Sequence, residues 1–398
     1  MNAIKLFINR VLIVLFAIIR HYKGKKKVMS NKMVLILFQQ AFGDAVVLSD
    51  SIMEYEKIFS EENGYKIKML IQPAVKSFLS DNYKIPKSID LIAVDFKRLL
   101  SDYRYFLDVV KQYNGKADVI IVPGTSLSAE VFSVSCNANR KIGLIRPFPV
   151  KKPIIYAWFY KNAYTDIVIP PKNTMMLQRQ RMLINKLGNE KFRAKLPKLK
   201  KKERIIYNNY CVLCPGASKM EKCWPTERFI EIADYIIEKY NMDVHLCGGA
   251  DETKFAEIIL QQTRFRDKIF NHIGNTTFSE WASIVAYAKL VVGNDSATLH
   301  LAASSNRRAV CIAGVYDKYQ FFPYKVDKLD KGERLPVAII KGMPCEYCRT
   351  VGYVAGYGNT ECKKRIKNGR CALCIEKITV EEVIEEIDAL MDGYFYEE

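Results

Sequence analysis

The stretch KLVVGNDSATLHLAAS, residues 289–304, carries the clearest local signals of fold in this chain. Leu290 to Val292 predict the end of a buried strand, Gly293 to Ser296 a tight turn, and the residues after them a helix. Asp295 or Ser296 is placed to cap this helix, whose first N–H groups point outward with the positive end of the helix dipole. The turn therefore offers a diphosphate site, although an ordinary turn of a parallel α/β sheet has the same pattern.

Three further stretches show the same order of strand and turn. YCVLCPGASKMEKCWPTERF, residues 210–229, places a Pro-Gly turn after a short strand, and HLCGGADE, residues 245–252, ends a strand on paired glycines. Near the start of the chain, ILFQQAFGDAVVLSDSI, residues 36–52, contains a Gly-Asp turn. Each stretch alone is a weak signal, but four in this order are hard to obtain by chance.

These stretches together resemble glycosyltransferase family 9, the ADP-heptose:lipopolysaccharide heptosyltransferases. The resemblance rests on the PGAS turn with Lys222 and Trp224-Pro225, the paired glycines, the GNDS turn followed by HLAA, and the Gly-Asp turn. It implies the GT-B fold, in which two Rossmann-like doubly wound domains face each other across a cleft. It also implies inverting transfer of heptose or a similar sugar from a nucleotide diphosphate such as ADP-heptose to a lipopolysaccharide core or other cell-surface glycan.

Composition and strand pattern agree with a two-domain α/β protein. The chain has 398 residues, 49% hydrophobic and 26% charged, which is enough to bury a large core. Apolar runs such as Met33 to Phe38 and Arg308 to Ile312 alternate with helical stretches, which predicts parallel sheets that bind ligands at the carboxyl ends of their strands. The predicted organisation is a basic segment (1–30), an acceptor domain (31–190), a basic linker (191–208), a donor domain (209–344) and a Cys-rich segment with a final helix (345–398).

Residues 1–30 combine basic residues with a short apolar run. The first acidic residue of the chain is Asp44, and the net charge is +18. The run Val11 to Ile19 has nine residues, whereas a membrane-spanning helix needs about 20. This pattern favours a helix in an anionic membrane interface, with a signal peptide or a helix packed on the protein's own core as alternatives. We expect a cytoplasmic protein, peripheral to the inner face of the cell membrane.

The run KFRAKLPKLKKKER, residues 191–204, is predicted to be an exposed linker between the domains. Eight of its fourteen residues are basic. A surface for nucleic acid would interleave aromatic residues with the basic ones, and this run has only Phe192. We therefore expect no nucleic-acid partner.

The Cys-rich segment contains two C-x2-C pairs, Cys345 with Cys348 and Cys371 with Cys374. Four thiolates at this spacing predict a structural zinc site, with Cys362 as the spare. Reduced cysteines, or disulfides in an oxidising compartment, are the alternatives.

Sugar transfer needs a base for the acceptor hydroxyl and positive charge or N–H donors for the departing diphosphate. The resemblance assigns Asp44 as the catalytic base and places Gly43 on the acceptor side, while a helix N-cap is the structural alternative for Asp44. Members of the family often have an arginine and serines in the preceding loop, where this chain has Gln39, Gln40 and Ala41. The difference in this loop concerns the identity of the acceptor more than the mechanism.

The donor residues follow from the same resemblance. Lys222 matches the family's phosphate-contacting lysine, with a surface lysine as the alternative, and Asp251 or Glu252 is a candidate to accept from ribose hydroxyls. Trp224 is expected in the core, and His300 either touches phosphate or packs its helix. The predicted donor-binding set is Ser218, Lys222, Glu252, Asp295, Ser296, Ala297 and His300.

Two departures from the family concern the donor. Ala297-Thr298 stand where relatives have Gly-Pro, and Cys214 and Cys223 stand where relatives often have His and Arg. The loss of two cationic groups could shift donor preference. We find no D-x-D pair placed to hold a catalytic Mg²⁺, and the scheme demands no catalytic metal.

Three functions therefore compete. The first is a transferase that uses a nucleotide-sugar donor and an anionic lipid-linked glycan acceptor at the inner membrane surface. The second is a nucleotide-sugar epimerase on the same GT-B fold, and the third is a non-enzymatic, basic zinc-binding protein that contacts nucleic acid. The ordered motifs disfavour the third, and the basic N-terminus favours the transferase because an epimerase needs neither anchor nor acceptor site.

Overall fold

The structure, a computed structural model, describes residues 3–23, 31–124, 126–145, 154–171, 173–315, 320–344 and 360–392. The chain forms two compact units. The first consists of Met1–Ser80, Lys84–Lys172 and Gln178–Ala194, and the second of Asp81–Tyr83, Asn173–Leu177 and Lys195–Glu398.

The first unit is built on a parallel sheet of six strands. The strands are β1 (Met33–Phe38), β2 (Lys66–Ile71), β3 (Ile89–Ala93), β4 (Val119–Val122), β5 (Arg140–Leu144) and β6 (Asp166–Val168), in the order β3-β2-β1-β4-β5-β6. The helices of this part of the chain are α1 (Ala3–Tyr22), α2 (Phe42–Ile58), α3 (Pro73–Asn82), α4 (Tyr103–Tyr113), α5 (Leu127–Ser135), α6 (Ile154–Asn162) and α7 (Met176–Leu187).

The second unit is built on another parallel sheet of six strands. The strands are β7 (Tyr210–Cys214), β8 (Asp243–Leu246), β9 (Ile269–Asn271), β10 (Leu290–Asn294), β11 (Arg308–Ile312) and β12 (Val337–Ile339), in the order β12-β11-β10-β7-β8-β9. The helices are α8 (Thr226–Tyr240), α9 (Thr253–Gln262), α10 (Phe278–Tyr287), α11 (Ala297–Ser304), α12 (Thr360–Lys367), α13 (Leu373–Glu376) and α14 (Val380–Asp392).

Both sheets have the Rossmann strand order, in which the chain returns to the middle of the sheet before its fourth strand. The point where the order reverses lies between β1 and β4 in the first unit and between β7 and β10 in the second. In such sheets ligands bind outside the carboxyl ends of the strands at this switch point. The predicted class of two Rossmann-like domains is confirmed, and β1 and β11 have the bounds that the apolar runs predicted.

Helix α1 is part of the first unit and not a separate segment. Ile13 and Ala17 are fully buried in the core that includes α4 and α5. Phe16 meets Phe106 edge to face with ring centroids 5.9 Å apart, and Asn9 Nδ2 donates to the carbonyl of Ser101 at 2.9 Å. The alternative in which this helix packs on the protein's own core is therefore correct for one of its faces.

The opposite face of α1 is apolar and exposed. Ile4 and Phe7 each leave 67% of their surface exposed, and Tyr22 leaves 72%. Among the described residues no helix is long and apolar enough to cross a membrane. The other exposed large apolar residues of α1 are Ile8, Val11, Leu12, Leu15 and Ile19.

The sequence predicted that the basic run at residues 191–204 is exposed, but the structure shows it to be partly buried. Phe192, Ala194 and Leu196 are buried, because apolar residues alternate with basic ones and an extended chain turns every second side chain inward. Lys198 forms an ion pair with Glu333. The prediction of an exposed linker was wrong for these residues because it did not consider the alternation of apolar and basic side chains.

Candidate active site

The two predicted donor motifs meet at the switch point of the second sheet. Cys214, the last residue of β7, lies opposite Gly293 of β10. Lys222 lies in a short turn after β7, and its Nζ donates to Asp295 Oδ2 just after β10 at 3.2 Å. The side chains of Lys222 and Asp295 are only 14% and 9% exposed. A buried cation held by a carboxylate thus stands at the carboxyl ends of the two central strands.

Asn294, which the sequence did not single out, ties these loops together. Its side chain is fully buried; Oδ1 accepts from the backbone N–H of Trp224 at 2.9 Å, and Nδ2 donates to the carbonyl of Pro215 at 2.8 Å. A carboxamide can both donate and accept, which is the signal that could have marked it within the GND run. Trp224 is buried, as expected, and its Nε1 donates to the carbonyl of Ile378 at 2.9 Å.

The start of α11 has an unsatisfied hydroxyl. Ser296 occupies the N-cap position, but its side chain makes no capping hydrogen bond. Within the described part of the chain its Oγ is buried and has no hydrogen-bond partner. The first N–H groups of a helix lack partners within the helix, so Ser296 Oγ and the N–H groups from Ala297 onward form a set of donors for an anion.

Glu252 lies at the ends of β7 and β8, where two glycines make room for it. A Cβ at Gly216 or at Gly248 would overlap its carboxylate, which accepts from the N–H of Gly249 at 2.9 Å. Burial raises the pKa of Glu252. Because these two glycines have no side chain, the carboxylate of Glu252 can lie directly against the backbone of both turns. The neighbouring Asp251 is exposed.

Ser218, by contrast, lies exposed in the turn after β7. It follows Gly216 of the PGAS turn by two residues. Among the described residues, Lys222 is joined to Asp295 by a hydrogen bond, and Ser296 follows Asp295 directly in the chain.

His300 lies inside the second unit, and the structure supports its packing alternative. Its Nδ1 shares a hydrogen bond with Tyr324 OH at 2.7 Å, and its ring stacks on Phe322 with centroids 5.1 Å apart. Burial lowers the pKa of His300 to about 4, so the imidazole is neutral near pH 7. A neutral, enclosed ring supplies no positive charge to a phosphate.

The two cysteines that replace cationic residues of the family are also uncharged. Both side chains are buried. Burial raises the pKa of Cys223 to about 12 and the pKa of Cys214 well above its ordinary value. Lys222 therefore has no cationic neighbour from either position.

Asp44 lies at the switch point of the first sheet, in the first turn of α2. Helix α2 begins at Phe42 with Ala41 as its N-cap, so the N-cap alternative for Asp44 is wrong. Asp44 and the adjacent Gly43 are both partly exposed. The loop before them is held by Gln40, whose Nε2 donates to the carbonyl of Gly124 at 2.7 Å.

The structure describes only part of the predicted zinc site. Cys345 and Cys348 lie outside the described residues. Cys374 is buried, and Cys362 Sγ accepts from the N–H of Leu373 at 3.3 Å, so the predicted spare lies beside the second pair. In the ranges that are described, no group of three or more His, Cys, Asp or Glu is arranged to hold a metal.

Solved structures with the same two-unit architecture define the class. The glycosyltransferase of family 9 from Veillonella parvula covers 93% of this chain and all of its own at a TM-score of 0.63 and 16% identity. The ADP-heptose lipopolysaccharide heptosyltransferase II of Escherichia coli covers 92% of this chain and 99% of its own at 0.60 and 18%. The iron-containing dodecameric heptosyltransferase TibC, solved with ADP-D-β-D-heptose, covers 93% and 79% at 0.53 and 12%. At these identities the structures show the fold, and the fold is GT-B.

The family follows from the sequence. The profile of glycosyltransferase family 9 (heptosyltransferase) matches residues 109–336, more than half of the chain, and the chain belongs to this family. Lipopolysaccharide heptosyltransferase 3 of Escherichia coli is 28% identical over 120 residues, 30% of this chain and 35% of that protein. Lipooligosaccharide heptosyltransferase 2 of Haemophilus influenzae is 32% identical over 104 residues, 25% of this chain and 30% of that protein. The alignments span about a third of these curated relatives.

Proposed function

We propose that this chain is an inverting glycosyltransferase that moves heptose from ADP-heptose to a lipopolysaccharide core or another cell-surface glycan. Membership of family 9 supports heptosyl transfer over the epimerase and nucleic-acid alternatives. The names of the solved neighbours support ADP-heptose as the donor. The observation that carries the proposal is the unsatisfied Ser296 hydroxyl at the start of α11, beside the Lys222–Asp295 pair.

The donor diphosphate is expected to lie at the start of α11. Ser296 Oγ and the N–H groups of Ala297 and Thr298 would donate to phosphate oxygens. The ammonium group of Lys222 would donate to these oxygens as well as to Asp295. Glu252 would accept from the ribose hydroxyls. The positive charge of Lys222 and of the helix start offsets the charge that develops on the leaving group, so the scheme needs no catalytic metal.

The acceptor hydroxyl is expected to bind near Asp44. The carboxylate takes the hydroxyl proton as the oxygen attacks the anomeric carbon of the heptose. The bond from that carbon to the diphosphate oxygen breaks, and its electron pair leaves with ADP. Attack opposite the leaving group inverts the anomeric configuration.

A donor screen tests this proposal directly. Purified protein is melted with ADP-, UDP-, GDP- and CMP-sugars, and a donor at 100 times its Kd should add about 2.7 kcal/mol of stability. We expect ADP-heptose to give the largest effect and the transferred heptose to have the inverted anomeric configuration by NMR. Preference for another nucleotide, or retention of configuration, contradicts the corresponding part of the proposal.

We also propose that the exposed face of α1 attaches the protein to an anionic membrane surface. A row of large apolar side chains from Ile4 to Tyr22 is exposed on a helix already held by the first unit. Lys5, Arg10 and Lys23 lie on the same helix or directly after it, and no acidic residue precedes Asp44. Apolar residues flanked by basic ones are typical of helices that lie in the membrane interface.

A structural metal in the Cys-rich segment is a further proposal. Four thiolates from Cys345, Cys348, Cys371 and Cys374 would suit zinc or iron in a tetrahedral site. The described half fits this use, because Cys374 is buried, Cys371 is partly so, and a backbone N–H points at the neighbouring Cys362 sulfur. TibC is described as iron-containing, so both metals are tested.

Elemental analysis of protein purified without chelator should find about one equivalent of zinc per chain. Iron in its place would identify the other metal. Cys371→Ser should lower the metal content, whereas Cys362→Ser should retain it. Metal-free protein with five freely titrating thiols in this segment would contradict the site.

A further inference from the structure

The loop that carries Lys222 is held at both ends by one side chain. This Lys222 loop, residues 215–224, lies between β7 and α8. At its start, Asn294 Nδ2 donates to the carbonyl of Pro215 at 2.8 Å. At its end, Asn294 Oδ1 accepts from the backbone N–H of Trp224 at 2.9 Å. A single carboxamide therefore joins the first residue of the loop to the last.

The position of Asn294 is fixed by the sheet. Asn294 is the last residue of β10 and is fully buried. The glycine before it, Gly293, lets β7 and β10 lie close together, because a Cβ at this position would be 2.7 Å from Cys214 Cβ. A central strand thus provides the rigid base from which the carboxamide reaches the loop.

The second half of the Lys222 loop is also bonded to the C-terminal segment. The carbonyl of Glu221 accepts from the N–H of Ala372 at 2.9 Å. The indole N–H of Trp224 donates to the carbonyl of Ile378 at 2.9 Å. Asn294 joins this anchored half of the loop to the first half, which follows β7.

Asn294 also connects the loop to the other residues of the candidate donor site. Asp295 and Ser296 follow it directly in the chain. Asp295 accepts from Lys222 Nζ at 3.2 Å, and Ser296 stands at the start of α11 with a buried Oγ. A shift of the loop relative to this strand end would therefore move the ammonium group of Lys222 away from both residues.

We infer that Asn294 is a positioning residue of the donor site and places the ammonium group of Lys222 beside the start of α11. The role requires a donor and an acceptor in one short side chain, because a carbonyl faces it at one end of the loop and an N–H at the other. The inference rests on the proposed function and names a residue that acts through Lys222.

Isothermal titration calorimetry with ADP tests the inference on the full-length protein. Asn294→Ser should raise the Kd at least about tenfold, because the shorter side chain cannot hold both ends of the loop and leaves buried backbone groups without a partner. In the Lys222→Ala background the same substitution should raise the Kd less than about twofold. A residue that acts through the lysine has no further effect once the lysine is removed.

Asn294→Asp adds a pH profile that a purely structural role would not give. The carboxylate keeps an acceptor for the N–H of Trp224 but brings a buried negative charge against the carbonyl of Pro215. A protonated carboxyl group restores the donor, and burial favours this form. The ratio of the Kd of this variant to that of the unmodified protein should therefore fall at least about threefold between about pH 8 and about pH 5.5.

Tyr210→Phe is the matched control for lost stability. Tyr210, the first residue of β7, donates through its buried hydroxyl to the carbonyl of Ile284 at 2.7 Å. Its substitution removes a buried hydrogen bond at the opposite end of the same strand. The variant should have a lower unfolding midpoint and an unchanged Kd for ADP.

Alkylation of Cys223 reports the position of the loop without any ligand. The thiol of Cys223 is buried within the loop. Iodoacetamide should modify it at least about tenfold faster in Asn294→Ser than in the unmodified protein or Tyr210→Phe, as measured by mass spectrometry of the peptide that contains it. Asn294→Asp replaces Asn294→Ser if the latter does not fold.

Each outcome decides between the inference and the proposed function. An unchanged Kd in Asn294→Ser overturns the inference, and so does an equal increase in the Lys222→Ala background. A Kd that rises as much in Tyr210→Phe also overturns it, because the loss then follows stability. If the unmodified protein binds no ADP, the proposed function fails, and the alkylation of Cys223 decides separately whether Asn294 holds the loop.

Discussion

Among single side chains, Lys222 is the one on which donor binding should depend most. It is mostly buried, it is held by Asp295 at 3.2 Å, and the two cysteines near it are neutral. Because no second cation comes from positions 214 and 223, the loss of Lys222 should remove much of the positive charge that faces the diphosphate.

We expect Lys222→Ala to weaken ADP binding by about 1.5–3 kcal/mol, the value of a hydrogen bond to a charged group. Isothermal titration calorimetry measures the change. Lys367→Ala, at an exposed position of α12, removes the same charge and should bind ADP like the unmodified protein. Equal affinity in both variants would show that Lys222 serves only the ion pair.

His300 should make the second unit sensitive to acid. Its pKa is about 4 in the folded protein and 6.5 ordinarily, so the unfolded chain takes up the proton first as the pH falls. The contribution of neutral His300 to the free energy of unfolding is therefore fully present above pH 6.5. It is lost as the pH falls from 6.5 to 4, which lowers the free energy of unfolding by up to about 3 kcal/mol.

Urea unfolding at pH 7, 6 and 5 tests this expectation. His300→Gln removes the titrating group, so the variant should be less stable at pH 7 but should lose less stability on acidification. Parallel pH curves for His300→Gln and the unmodified protein would show that His300 does not titrate in this range.

Helix α1 has two apolar faces with different partners. Ile13 and Ala17 are buried in the core of the first unit, whereas Phe7 and Leu15 are 67% and 48% exposed. A periodicity analysis alone could not divide these residues, because both faces are apolar. Deletion of the whole helix would therefore remove core contacts as well as the exposed face.

Point substitutions separate the two faces. Phe7→Asp with Leu15→Asp should abolish binding to vesicles that contain anionic lipid while the unfolding midpoint changes little. Ile13→Asp should instead destabilise the first unit, since it buries an unpaired charge. Binding of the unmodified protein should weaken in salt, with about 1 kcal/mol per basic residue near the surface. Unchanged vesicle binding in the double variant would assign the exposed face to another partner.

The molecule as a whole repeats one topology and gives its two switch points different chemistry. At the switch point of the second sheet lie Lys222, the start of α11 and the Ser296 hydroxyl, which has no hydrogen-bond partner among the described residues. At the switch point of the first sheet lie the carboxylate of Asp44 and the carboxamide of Gln40. The proposed donor and acceptor functions thus belong to separate units. A substitution in the first unit should therefore abolish sugar transfer without weakening the binding of the donor nucleotide to the second unit.

Asp44→Asn is the substitution that tests this division. It should lower transfer by about 100-fold to 10,000-fold, the usual contribution of a general base, and leave the Kd for ADP unchanged. Asp50→Asn, on the same helix α2, removes an equal charge and should keep most activity. Weaker ADP binding in Asp44→Asn, or activity close to that of the control, would exclude Asp44 as the base.

Residues of the candidate donor site could be named from the sequence, but the hydrogen bonds between them could not be predicted. Asp295 was expected there because it follows a strand at a Gly-containing turn, and Lys222 because it stands at a turn before a helix and matches the family's phosphate-contacting lysine. Their ion pair, however, joins residues 73 positions apart. The role of Asn294 was missed for the same reason, since its partners lie near residues 215 and 224.

Local patterns were sufficient for the fold because they act between near neighbours. Apolar runs, Pro-Gly turns and paired glycines set where β1, β7 and β11 begin or end, and their order along the chain indicated two Rossmann-like units. Burial depends instead on what packs against a residue from elsewhere. His300 became a neutral core residue through Tyr324 and Phe322, and Ile13 became buried through α4 and α5. The local pattern could not decide whether His300 contacts phosphate or packs its helix, or which face of α1 is buried. Contacts with residues distant in the chain decided both.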